Sequence, residues 1–369
     1  MPDPRVTNLA RLLVHYSTQV KPGDKVCIRD APLEPLATPL IQEIYREVLR
    51  AGGHPIAYAN IEGLRRLFLE EANEEQLRTV DPIQKMFFEE FDVEFRIRCE
   101  SNTRDLSGAD PERIKIWTQA YGDVTRTFSR RSAAGEYRWV LAVFPTQAAA
   151  QDAEMSLTEY EDFVYGSTFA DAEDPTAEWT TYRARQEKLV QWLAGRKRVE
   201  LKGPHIDLSL SIEGRSFVSC HGKLNMPDGE IFTSPVEDSV NGWVRFTYPA
   251  IYLQREVQNV ELHFEQGRVV KANASKGLDY LQQMLETDAG ARHLGELGIG
   301  TNPKITRFTR NMLFDEKMAG TIHLALGMGF GAAGGKNESA IHWDMLCDMH
   351  EGQILVDGDE FYQAGDFKV

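Results

Sequence analysis

The chain is poor in cysteine, in positive charge and in long apolar runs. Its four cysteines, Cys27, Cys99, Cys220 and Cys347, lie far apart and form no C-x-x-C pair. That argues against a disulfide-stapled scaffold, and the four read as reduced small hydrophobes. No stretch approaches the roughly 20 apolar residues that a membrane-spanning helix needs. Met1-Pro-Asp-Pro-Arg5 carries no basic-then-apolar leader pattern. A cytoplasmic location is therefore expected, with no membrane partner. Lys and Arg number 41 against 56 Asp and Glu, a net charge of −15. Nucleic acid and anionic membrane, both polyanions, are not expected as partners. The first half holds no G-x-G-x-x-G and no Walker A lysine loop, so no nucleotide chemistry is assigned to it.

What is present is enough for two cores. At 369 residues, two domains are the default. The expected division is an N-terminal α/β domain, residues 1–195, and a C-terminal catalytic domain, residues 196–369. In the first, apolar spacing predicts a helix over Thr7–Val20 capped by Thr7, a strand at Lys25–Arg29, and a helix over Leu36–Ala51 stopped by Gly52-Gly53. Strands follow at Pro55–Asn60, Val93–Cys99 and Trp139–Phe144, then helices at Ser156–Tyr165 and Glu178–Leu193. That alternation predicts a mostly parallel sheet with covering helices. After Gly195-Arg-Lys-Arg198 strands dominate, giving a strand-rich α+β domain, with one helix expected over Leu278–Glu296 and a hairpin turn at Glu265-Gln-Gly-Arg268.

Seven of the nine histidines fall in this second domain. Ile341-His-Trp-Asp-Met345 alternates, so His342 and Asp344 share one strand face as a ready pair of metal ligands. A surface His beside an Asp is the plainer reading of the triplet alone. Three upstream segments change the balance. Glu230 opens an apolar run after Pro227-Asp-Gly; Glu296 is bracketed by leucine, isoleucine and glycine; His323 stands opposite the apolar face made by Ile322, Leu324 and Leu326. The plainer readings are a loop glutamate in water, a helix-end glutamate facing solvent and a hydrogen-bonded structural histidine. Taken together, two glutamates, two histidines and one aspartate suit a two-metal hydrolytic site better than a structural zinc site, which favours cysteine. Cys347, three residues past Asp344, is the thiol nearest this set in sequence.

Several motifs in fixed order carry a family resemblance: Met226-Pro-Asp-Gly-Glu-Ile-Phe232, Gly295-Glu296, Leu313-Phe-Asp-Glu316, His323-Leu-Ala-Leu-Gly327 and His342-Trp-Asp344. The chain resembles the thermophilic metallo-aminopeptidases of the aminopeptidase T, aminopeptidase S and PepS group over nearly its whole length, including Tyr16–Lys25 and Tyr160–Tyr165. The resemblance implies that Glu230, Glu296, His323, His342 and Asp344 are metal ligands, with Glu296 bridging two divalent ions. It also implies a homodimer acting on short peptides. The family usually has a tyrosine seven residues after the His323 position, where this chain has Phe330. A phenyl ring neither ligates metal nor donates a hydrogen bond.

The implied activity is removal of N-terminal residues from short peptides by a metal-bridging hydroxide. Zinc, cobalt and manganese all suit the donor set. A carboxylate must take and return a proton, and Glu316 is the candidate, alongside Glu296 at the metal bridge. The plainer reading of Asp315-Glu316 is a turn before the His323 strand. Two alternatives stand beside the peptidase. One is a ring-cleaving dioxygenase of the dihydroxypyridine type, with one ferrous iron held by His323, His342 and Asp344. The other is a binding protein that kept the scaffold.

Overall fold

The protein is described by a computed structural model that covers residues 3–32 and 35–369, with side chains left undescribed at 30–32 and 35. The chain forms two compact units. One comprises residues 1–178 with 222–227, the other 179–221 with 228–369.

The first unit is built on a parallel sheet. Its strand order is His54–Asn60, Lys25–Pro32, Val93–Arg98, Arg138–Val143 and Asn225–Met226, with every neighbouring pair parallel. Helices connect the strands, as a parallel sheet requires. The first helix starts earlier than Thr7. It runs Pro4–Arg11, with the Asp3 side chain accepting from Arg5 N–H and Pro4 at its first turn, a better start signal than Thr7. It continues as a wider π-helical stretch, Leu12–Ser17. Thr38–Arg50 follows the expected helix and ends at Gly52, whose φ is +82°. The helices within 64–133 carry no long apolar stripe and escape a sequence reading.

The second unit contains two larger sheets. Eight strands, in the order Arg268–Asn273, Glu261–Glu265, Asn241–Arg245, Ile206–Ser211, Arg198–Gly203, Gln353–Val356, Asp359–Gln363 and Asp366–Phe367, form an antiparallel sheet. Five more, in the order His342–Asp348, Thr321–Gly327, Leu294–Gly300, Glu230–Thr233 and Val218–Cys220, form another. One face of this five-stranded sheet is core. Ile231, Leu294, Leu297, Ile299, Ile322, Leu324, Leu326, Trp343, Met345 and Cys347 join a single apolar cluster with Leu208, Val244 and Leu262 of the larger sheet.

The expected helix over Leu278–Glu296 is half right. It stops at Leu285, and Leu294–Gly300 is a fully buried strand. The Asp288 carboxylate accepts from Gly290 and Ala291 N–H and holds a turn there. Beyond it the Leu-Gly-Glu-Leu-Gly-Ile-Gly pattern pairs on both sides. Glu296 is thus a mid-strand residue, not a solvent-facing helix end.

Candidate metal centre

The ligand candidates come together because of register. Glu230 pairs with Gly300, Glu296 with Ala325, Ala325 with Asp344 and Gly327 with His342. Alternation then places Glu230, Glu296, His323, His342 and Asp344 on the sheet face opposite the core. Leu294 and Glu296 are two apart and would share a face in a regular strand. A bulge between them, at Gly295, puts Leu294 in the core and Glu296 on the other side.

Small residues make room for the large ones. Gly298 lies opposite His323, and a Cβ there would overlap the imidazole. Gly229, at φ +134°, leads directly into Glu230; a Cβ there would stand 2.6 Å from Asn302 Cβ and 2.7 Å from the Tyr182 hydroxyl.

Five side chains converge. His323 Nε2 lies 3.0 Å from Glu230 Oε2 and 3.5 Å from Glu296 Oε1, while His342 Nε2 lies 3.1 Å from Glu296 Oε2 and 3.5 Å from Asp344 Oδ1. Each oxygen of Glu296 therefore faces a different histidine. Glu230, Glu296 and His323 form one group whose ligand atoms lie within 4.8 Å of one another, and Glu296, His342 and Asp344 form a second. His342 Nδ1–H donates to the Met328 carbonyl over 2.9 Å, which leaves Nε2 free to ligate.

Charge explains the titration of these groups. Burial pushes His342 down, but the Asp344 and Glu296 carboxylates outweigh it and raise it to about 11. His323 is lowered by burial and raised more by Glu230 and Glu296, ending well above the usual imidazole range. Burial raises Glu230 and Asp344; Lys317 with His323, and His342 with His323, bring them below the carboxylate range. In this form protonated histidines supply the positive charge. A divalent cation would do so with better geometry, because Glu230 Oε2 and Asp344 Oδ1 are buried with no hydrogen-bond partner. Oxygen and imidazole donors around orphaned buried atoms fit a divalent metal.

Glu316 and Lys317 stand beside this group. Burial raises Glu316 to about 8 against the pull of Lys317. Lys317 is fully buried, ion-paired to Glu316 and 3.6 Å from Glu230 Oε1. Asp315 has a different job. Its Oδ1 accepts from Thr309 N–H at 2.7 Å and Thr309 Oγ1 at 2.8 Å, so it braces the turn. Cys347 points into the core with the apolar cluster, away from the ligand face.

Sequence reasoning missed the supports. Lys317, in Phe-Asp-Glu-Lys-Met, looks like an ordinary solvated turn residue. Asn302 is fully buried; its Nδ2 donates to the Asp228 carbonyl, and its N–H to the Lys317 carbonyl. It ties the segment entering Glu230 to the segment leaving Glu316. Gln186 Nε2 donates to the Glu230 carbonyl and to Thr301 Oγ1, both at 3.0 Å. No local pattern marks an amide that acts over such sequence distance. Cys220, Asp228 and Glu230 form a further group of possible donors.

Comparison with known proteins shows the family and the fold. Residues 3–367 match the family model described as thermophilic metalloprotease (M29). The chain belongs to that family and is a metal-dependent hydrolase. It is 27% identical to Aminopeptidase 2 of Geobacillus stearothermophilus, over 97% of this chain and 96% of the relative. It is 28% identical to Aminopeptidase T of Thermus thermophilus, over 97% and 94%. Among solved structures, wild-type AmpT from Thermus thermophilus superposes with a TM-score of 0.85 at 24% identity, covering 99% of both chains. The 2,5-dihydroxypyridine dioxygenase of Pseudomonas putida KT2440 shares the fold at TM-score 0.58 and 14% identity, over 98% and 96%.

Proposed function

We propose that the protein is an aminopeptidase that hydrolyses N-terminal residues from short peptides at a two-metal centre. Glu230, Glu296 and His323 would hold one divalent ion and Glu296, His342 and Asp344 the other. The observation that carries this reading is the pair of three-residue groups sharing Glu296, with one of its oxygens toward each histidine. When bound, zinc, cobalt or manganese ions supply Lewis acidity and lower the pKa of a coordinated water toward neutrality.

The chain's own residues do the rest. Glu316 is buried beside the cluster with a raised pKa, which suits a group that takes a proton and returns it. Lys317 holds the Glu316 and Glu230 carboxylates by charge. Gln186 and Asn302 fix the backbone at Glu230. The relatives' names support peptides as substrate. A homodimer is supported by the exposed Leu49, Ile56, Ile61, Leu64 and Leu67 of the first unit. Cytoplasmic residence is supported by four free cysteines.

A single-iron ring-cleaving centre would use His323, His342 and Asp344 alone and leave the buried Glu230 and Glu296 carboxylates with no metal to bind. The test is metal content per chain on protein purified without added metal, together with leucine release from a leucyl peptide. Two divalent ions with leucine release are expected. One iron without hydrolysis would replace this reading by the dioxygenase.

A further inference from the structure

Two phenyl rings border the ligand cluster. Phe232 is two residues past Glu230 on the same strand and shares its face. It pairs with Gly298, the residue opposite the His323 ring. Phe330 lies on the turn that follows Thr321–Gly327. Its ring centroid is 5.3 Å from that of Phe232 and 4.7 Å from that of His342, edge-on in both cases. Phe330 N–H donates to Ser234 Oγ at 3.0 Å, which ties the turn to the strand carrying Glu230. Unlike their core neighbours Ile231 and Leu324, both rings are only partly buried.

We propose that Phe232 and Phe330 form an apolar wall for the side chain of the residue being released, so that the enzyme selects apolar N-terminal residues. This rests on the aminopeptidase reading. A residue whose amine and carbonyl are held at the ligand cluster carries its side chain one bond from that point, within reach of the Phe330 ring, 4.7 Å from a ligand imidazole, and of Phe232 beside it. An aliphatic or aromatic side chain gains by covering the phenyl surface. An acidic one meets no hydrogen-bonding partner on the rings and faces the charges of Glu230 and Asp344.

The test uses metal-loaded full-length protein and three peptides differing only at the first residue: Leu-Gly-Gly, Gly-Gly-Gly and Asp-Gly-Gly. The wild type is expected to favour leucine over glycine by about tenfold or more in kcat/KM, the range that a few methylenes in a pocket supply. Phe330→Ser should erase most of that ratio while metal content stays at the wild-type value. Phe330→Leu should keep it. Phe232→Ser provides an independent reading should Phe330→Ser fold poorly. Calorimetric binding of free leucine against free glycine should show the same preference without turnover. Equal losses on all three peptides in the serine variants, or a wild-type leucine-to-glycine ratio near one, would overturn the wall. Release from none of the peptides at full metal loading would overturn the aminopeptidase reading itself, and the wall with it.

Discussion

The His323 imidazole occupies the space that a side chain at Gly298 would fill on the neighbouring strand. Gly298 is therefore part of the ligand geometry although it offers no donor atom. Gly298→Ala should displace the ring, cost about 1–3 kcal/mol in stability through overpacking, and lower metal content. Thermal unfolding and metal analysis on the same sample check this. Full metal content in a folded Gly298→Ala protein would show that the ring has another place to go.

Glu316 and Lys317 separate by their readouts. Glu316→Gln keeps the shape and removes the proton acceptor, so turnover should fall by about 10²–10⁴-fold with metal content intact. Near-normal turnover would remove Glu316 from the mechanism. Lys317→Met leaves Glu316 and Glu230 as buried carboxylates without their ammonium. Breaking such a pair should destabilise the fold by about 3–5 kcal/mol, visible as a lower denaturant midpoint.

Metal binding should release protons. In the metal-free protein His323 and His342 are held protonated by the carboxylates around them, His342 up to about 11. A cation binds only the neutral imidazoles, so affinity should rise as pH increases through the neutral range and fall toward pH 5. Calorimetric titration of zinc in two buffers of different ionisation enthalpy measures the released protons directly. Identical heats in both buffers would mean that the histidines are already neutral. Chelation should abolish activity, and added divalent metal should restore it.

Asp288 gives a prediction about acid stability. Burial works against its charge, but Ala340, Gly290 and Ala291 N–H and Ser339 Oγ all donate to it, holding its pKa below the ordinary carboxylate value. A lowered folded-state pKa stabilises above the unfolded value, and that stability is lost as pH falls through the folded one. Asp288→Ala should cost about 1 kcal/mol at pH 7, discounted for solvent access. The difference from wild type should shrink below about pH 4. Denaturant unfolding at pH 7 and pH 3.5 tests both halves. A constant difference would mean that the carboxylate charge is not what holds the 339–340 segment.

Much of this architecture was legible before any coordinates. Alternation in Thr321–Gly327 and His342–Asp348 announces which residues leave the core, because a strand's two faces are written in its odd and even positions. The parallel sheet of the first unit shows in its short apolar strands separated by helical spacing. Glu296 shows where such reading stops. Apolar spacing runs from Leu278 onward without an obvious break, and only the Asp288 turn and the pairing on both sides turn the end of that run into a strand. Lys317, Asn302 and Gln186 are invisible for a related reason. Their meaning lies in partners between 44 and 87 residues away, and a sequence read locally assigns such residues to water.

The bulge at Gly295 and the register around it have one more implication. Ligand spacing is set by interstrand pairing, with the core on the reverse face, and not by a loop that an ion must gather. Small zinc domains unfold when stripped of metal. Here the frame is already assembled by hydrocarbon and backbone hydrogen bonds, so the stripped protein should keep its shape and wait. Loss of activity on storage with a chelator is then an emptying and not a denaturation, reversible for as long as the sheet persists.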